Sequence, residues 1–252
     1  NLRMQLVSAL RDDGTIEVIR HGFKMAGYQT IMGSAPYPAD KRIRNAQANY
    51  EANILRVMHQ VHYQTQGNKS LDLVFFINGI PVATAEVKTE LTQTVQDAIE
   101  EYQTERKPVE PGTNRRNWLL MYKSGAVVHF AISEDEVWMC TNLEADVPRF
   151  LPFNKGTLDG HAGNPPAEDG GYRTSYFWKE ICQRDNWLHV FQNFVFEETS
   201  RKEDATGRLR TRRTQIFPRY HQYDVVRKVL ADVKQNGPGK NYLIQHSAGS
   251  GK

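Results

Sequence analysis

The sequence predicts an α/β chain, and three observations carry that assignment. Two apolar runs, Leu71 to Ile77 and Ile80 to Lys88, flank Asn78-Gly79, the strongest short hairpin signal in the chain. A helical stripe follows at Val95, Ala98, Ile99 and Tyr102, with Thr92 or Thr94 available as its cap. Near the end, a helix from Tyr220 to Lys234, a Gly237-Pro238-Gly239 stop, an apolar strand Tyr242 to Gln245 and a glycine-rich terminus come in an order typical of nucleotide-binding folds.

The other elements are placed around these. Residues 1–40 mix helical and turn signals, and without an initiating Met the natural N-terminus is expected to lie upstream. From Arg42, apolar Ile43, Ala46, Tyr50, Ile54 and Val57 recur at steps of three and four, predicting a helix that ends near Met58. Trp118 to Tyr122, Ala126 to Ile132 and Glu136 to Thr141 read as strands extending the hairpin's sheet, with Ser124-Gly125 and Ser133-Glu134-Asp135 between them. A Gly-, Pro- and Asn-rich loop, Lys155 to Gly171, leads to an aromatic helical stretch from Tyr176 to Phe196. Residues 201–213 hold six basic residues, Arg201, Lys202, Arg208, Arg210, Arg212 and Arg213, against two acidic ones and read as a solvated linker. The expected organisation is a first domain over residues 1–197, a basic linker over 198–214, and the start of a second domain over 215–252.

Composition narrows the class without naming a function. With 39% hydrophobic and 24% charged residues the 252-residue chain can bury a core. It has no apolar run of bilayer length and no signal-peptide centre at its start, so a cytoplasmic protein with no membrane partner is expected. Cys140 and Cys182 stand 42 positions apart outside any C-x-x-C pair, which indicates buried thiols rather than a disulfide framework or thiolate metal site. A net charge of +3 is too small to identify a nucleic-acid partner.

The chemistry sits on the hairpin. Asp72, Glu86 and Lys88 form an Asp-x13-Glu-x-Lys pattern. Hydrolysis of a phosphodiester needs a cation to neutralise its anionic oxygens and activate water; two carboxylates can hold Mg²⁺, and a lysine can orient the water or stabilise developing charge. Glu86 and Lys88 share a strand face. Asp72 joins them only in one register: a regular two-residue turn would pair Asp72 with Ala85 and turn it away, whereas a three-residue loop with Gly79 at positive φ, or a bulge, restores the match. The alternative is that these charges only edge a sheet. Against it, both hairpin faces are otherwise apolar, with Leu71, Leu73, Phe75, Ile77, Ala83, Ala85 and Val87 assigned to one and Val74, Phe76, Ile80 and Val82 to the other. Unpaired charges there would be costly.

A second pattern lies at the end. His246-Ser-Ala-Gly249-Ser250-Gly251-Lys252 follows an apolar strand and resembles the end of a phosphate-binding loop, with Lys252 reaching the phosphates of ATP. His246 stands where such loops carry their first glycine. Gln222, in Arg219-Tyr220-His221-Gln222, could read adenine as a glutamine does in helicase motors, or be a helix-surface residue.

Taken together, these residues resemble the restriction (R) subunit of type I restriction-modification enzymes. The similarity is carried by Leu71-Asp72 through Asn78-Gly79, Pro81 through Glu86-Val87-Lys88, Ser124-Gly-Ala-Val-Val-His129-Phe130, Phe150-Leu-Pro-Phe-Asn154-Lys155-Gly156 and Arg219 to Gln222, and spans about residues 42 to 252. The resemblance implies a PD-(D/E)xK restriction-endonuclease-like domain with a central mixed sheet flanked by helices, then the start of a RecA-like P-loop motor near residue 215. It carries metal ligation to Asp72 and Glu86, the catalytic-lysine role to Lys88, and ATP contacts to Gln222, Gly249, Ser250, Gly251 and Lys252. It also implies double-stranded DNA as substrate and methylation (M) and specificity (S) subunits as partners. Members often carry Gln-x3-Tyr on the next helix; here Ala98 precedes Tyr102 by four and the nearest upstream glutamine is Gln96. Glu51 is a possible accessory metal contact, although a solvated helix face suits it better. The competing functions are a non-catalytic DNA-binding or assembly module fused to a helicase, and an ATPase with a regulatory N-terminal domain. Binding of divalent metal separates the nuclease from both.

Overall fold

The computed structural model describes residues 1–246 except 39, 41, 65, 90–92, 158 and 204–206. The P-loop residues Gly249, Ser250, Gly251 and Lys252, and the alternative cap Thr92, therefore lie outside the described residues. Helices α1 (Leu2–Asp12) and α2 (Thr15–His21) fill the unassigned N-terminus, and α2 buries Ile16, Val18 and Ile19. After α3 (Arg44–Glu51) come strands β1 (Leu55–His62), β2 (Ser70–Ile77) and β3 (Ile80–Val87), helix α4 (Val95–Thr104), then β4 (Val128–Ile132), β5 (Val137–Cys140) and the short β6 (Leu151–Pro152). A π-helical turn, Phe177–Ile181, precedes α5 (Arg184–Asn193). The described chain closes with β7 (Phe196–Glu203), β8 (Leu209–Ile216) and α6 (Tyr220–Asn236).

Strands β1 to β6 form one mixed sheet in sequence order, antiparallel throughout except where β3 runs parallel to β4. A parallel neighbour needs a crossover, and α4 lies within it, packing Ala98, Ile99 and Tyr102 on the sheet. The Asp97 carboxylate accepts from the Thr94 N–H and hydroxyl at 2.5 and 2.9 Å, which fixes where α4 begins. The opposite face carries the larger core, where Phe75, Phe130, Phe153, Phe177, Trp187, Phe191 and Phe217 meet α2 and α5. Strand β3 is central and almost wholly buried, so any charge on it must be compensated inside the protein.

Several expectations change. The helix expected to reach Met58 ends at Glu51, because Val57 belongs to the edge strand β1 and Ile54 lies just before it, 54% and 60% exposed rather than one buried stripe. Trp118–Leu120 is a 3₁₀ turn, not a strand: the Leu119 carbonyl accepts from the Ala126 N–H at 2.9 Å and closes the chain on itself. Leu71 packs with Val74 and α4, while Ile80 and Val82 join Ile77 in the larger core, the reverse of their expected faces. The stretch read as a linker folds as the antiparallel ribbon β7–β8, and Phe217, Tyr220 and Tyr223 beyond it are buried in the larger core. Tyr242 to Gln245 has no ladder partner and is not a strand. Among the described residues no helix is long and apolar enough to cross a membrane.

Candidate active site

The hairpin resolves the facing problem with a bulge. Ile77 pairs with Ile80, and Asn78 and Gly79 take φ of 50° and 82°, so the connection is a two-residue type I′ turn and not the three-residue loop. Asn78 suits this because its side chain accepts from Ile54 N at 2.7 Å and donates to the Gly33 carbonyl at 2.9 Å, docking the turn. The register then shifts between Phe75 and Phe76: Phe76 pairs with Pro81 but Phe75 with Ala83, leaving Val82 as the extra residue. Beyond the shift Leu73 pairs with Ala85, so the next position sets Asp72 beside Glu86.

Three side chains from the notional triad are held by groups that the spacing did not reveal. One Asp72 oxygen accepts from the Val87 N–H at 2.9 Å and the other from Gln60 Nε2 at 3.0 Å. Gln60 sits at φ 51°, an uncommon conformation for a residue with a Cβ, and its Oε1 accepts from Ser70 Oγ at 2.9 Å. Glu86 is 1% exposed, and its Oε1 accepts from Arg106 Nε at 2.6 Å. Arg106 also donates to Glu101 Oε1 at 2.7 Å, and Lys88 Nζ lies 2.7 Å from Glu101 Oε2. Glu101 on α4 thus ties both cations to one carboxylate.

Electrostatics follow from burial. Burial pushes the Glu86 carboxyl up to about 8, while the Arg106 contact pulls against it and the neighbouring Asp72 and Glu101 charges add to the rise. Burial pulls Lys88 down, but Glu101, Glu86 and Asp72 outweigh it and hold the ammonium above its ordinary value. Behind Glu86 on the same strand, Thr84 Oγ1 lies 2.8 Å from both the Tyr102 hydroxyl and His129 Nδ1. Burial alone pushes His129 down to about 3, so this imidazole is neutral.

Asp72, Glu86 and Lys88 are brought together; the other candidates are not part of that cluster. Gln96 is exposed, and Tyr102 is buried against His129 and Phe150, so the α4 residue that reaches the cluster is Glu101. Glu51 is exposed and accepts from Gln47 at 2.5 Å, as a solvated face requires. Gln222 caps α6, its Oε1 accepting from the Arg219 N–H at 2.9 Å. Arg106, Glu101 and Gln60 were missed because their distances along the chain give no periodicity. The one available signal was that a glutamate on a buried strand demands a cation.

Asp72 and Glu86 offer two hard carboxylates, the ligand type that Mg²⁺ takes while keeping waters. Among the described residues no three His, Cys, Asp or Glu side chains converge as a metal cage. The Tyr63 hydroxyl is buried near Arg106 and Glu86; burial raises its pKa and Arg106 pulls it down.

Comparison with known proteins gives two likenesses. Residues 32–147 match the family described as Type I restriction enzyme R protein N terminus (HSDR_N). Over 219 residues, 81% of its length, the chain is 26% identical to the protein of Methanocaldococcus jannaschii named "Putative type I restriction enzyme MjaVIIIP endonuclease subunit", of which it covers 18%. The chain thus spans less than a fifth of that relative. The segment that matches the type I restriction enzyme R-protein N-terminal family contains the whole hairpin and α4.

Proposed function

We propose that residues 1–197 are a PD-(D/E)xK endonuclease domain that cleaves double-stranded DNA with Mg²⁺, as part of a host-defence restriction enzyme. The observation that carries this is the Val82 bulge, which sets Asp72 on the face of Glu86 and Lys88. Asp72 and Glu86 would hold the ion, which supplies charge neutralisation at the scissile phosphate and an acidified water. Arg106 takes one oxygen of Glu86, opposing the rise that burial imposes on the acid and fixing its orientation. Lys88, kept charged by Glu101, would orient the attacking water or donate to a phosphate oxygen.

The remaining parts of the function rest on the family. In the full-length enzyme, cleavage would be coupled to translocation by a RecA-like motor beginning near residue 215, with Gly249, Ser250, Gly251, Lys252 and Gln222 contacting ATP. The M and S subunits would complete the complex. Replacing Asp72, Glu86 or Lys88 by Ala in the full-length enzyme is expected to abolish DNA cleavage while ATP hydrolysis persists. Cleavage at the wild-type rate in any of the three would refute the assignment.

A further inference from the structure

The ribbon β7–β8 is an unexplained structure with a concentrated charge. Eight consecutive pairs, Phe196–Ile216 to Glu203–Leu209, give it a reach of about 25 Å. Its root is tied down: the Gln215 N–H donates to the Tyr122 hydroxyl at 2.6 Å, Gln215 Nε2 to the Val127 carbonyl at 2.9 Å, and Thr141 Oγ1 to the Gln215 carbonyl at 2.8 Å. Lys123 pairs with Glu197 at the same end, and Arg213 approaches Glu197 at 3.5 Å. Arg201 and Leu209 further out are exposed, Leu209 by 73%.

From Phe196 to Ile216 there are six basic residues and four acidic ones, a net +2 of the chain's +3, and Glu197 and Glu198 stand at the root, so the basic positions dominate further out. The register places Lys202 directly opposite Arg210, with the Arg212 position on the same ribbon face and the Arg201 and Arg213 positions on the other. Basic positions on both strands suit an anionic partner.

We propose that the β7–β8 ribbon is a phosphate-contacting arm for double-stranded DNA, rigidly presented from the nuclease sheet. A duplex fits because its phosphates run as a continuous anionic track and its major groove, about 12 Å wide, admits a two-stranded ribbon. Contacts of this kind position DNA without reading sequence. The choice of ligand rests on the nuclease reading; the arm itself rests on charge and register alone.

The test uses this chain with Arg201→Gln, Lys202→Gln, Arg210→Gln and Arg212→Gln together, and a matched set in which the three arginines become Lys. Fluorescence anisotropy with a short blunt duplex of arbitrary sequence is read across salt concentrations, without divalent metal. The Gln set is expected to bind on the order of ten- to a hundredfold more weakly and to flatten the slope of log affinity against log salt by about 0.9 per lost contact. The Lys set keeps the charge and the slope. Should the fourfold Gln set lose its cooperative thermal transition, the pair Arg201→Gln with Arg212→Gln is read instead. Unchanged affinity and slope overturn the proposal, as does a wild-type chain that does not bind the duplex. Intact DNA binding with lost subunit assembly also overturns it and assigns the arm to an acidic protein surface. This assay reads binding alone, so a failure of the catalytic reading is seen separately, as cleavage by Glu86→Gln that persists when Mg²⁺ is supplied.

Discussion

Replacing Arg106 by Met removes the cation from a buried acid and leaves most of the side-chain volume. Arg106 is 9% exposed at its side chain and Glu86 1%, with 2.6 Å between Nε and Oε1, so little solvent screens the pair. Breaking a buried pair from one side costs about 3–5 kcal/mol, mostly the penalty of the charge left behind. Glu86 can escape that penalty by taking a proton. Burial already lifts its folded value from 4.5 to about 8, and loss of the Arg106 contact, which holds it down, lifts it further. A folded state that binds the proton more tightly than the unfolded chain loses stability as pH rises from the unfolded value toward the folded one, by up to about 1.4 kcal/mol per unit. The cost of Arg106→Met should therefore be larger at pH 8.5 than at pH 6. Urea unfolding of this chain at both pH values measures it, and Glu86→Gln in the same background should remove most of the difference. A loss below about 1 kcal/mol, equal at the two pH values, would refute the account of the pair.

Two more expectations concern the frame around the site. His129 stays neutral down to about 3 when folded but titrates near 6.5 when unfolded, so the unfolded chain binds the extra proton below pH 6.5 and stability is lost there as pH falls. Relative to His129→Asn, the wild type should lose about 1.4 kcal/mol per unit between pH 6 and pH 4, and parallel stability curves would contradict this. At Gly79 a Cβ would meet no atom within 4 Å, so only its φ of +82° resists substitution. Gly79→Val should cost about 2 kcal/mol and reduce cleavage, whereas Gly79→Asn should cost less than about 1. Equal thermal destabilisation by the two would show that backbone strain is not the cause.

The parts of the fold that were legible are those in which local chemistry and burial agree. The hairpin, α4 with its Thr94 start and α6 with its Gly237 stop all follow the sequence pattern, because each carries its own turn or cap. Asn78-Gly79 kept its ordinary two-residue turn, and the chemistry was served by the bulge at Val82, the second of the two routes the carboxylate facing allowed. The α3 boundary failed where exposed apolar residues imitated a helical stripe. The ribbon was hidden because both its faces are polar, so a period of two leaves no apolar trace. Of the site, the triad was visible as a spacing, while Arg106, Glu101 and Gln60 depend on tertiary packing that brings α4 and β1 onto β2 and β3.

The parallel pairing of β3 with β4 has a consequence for how the protein folds. The β2–β3 hairpin closes over two residues, an event of microseconds, whereas Ala83 meets Val128 only after 44 intervening residues are looped out. Arg106 lies inside that loop, so Glu86 is on a formed hairpin, wet and ionised, before its cation arrives. Desolvation of the acid thus belongs to the late step of folding. Its rate, unlike that of hairpin closure, should slow as pH rises above the ordinary range of a glutamate, and an Arg106 variant should fold more slowly as well as unfold faster.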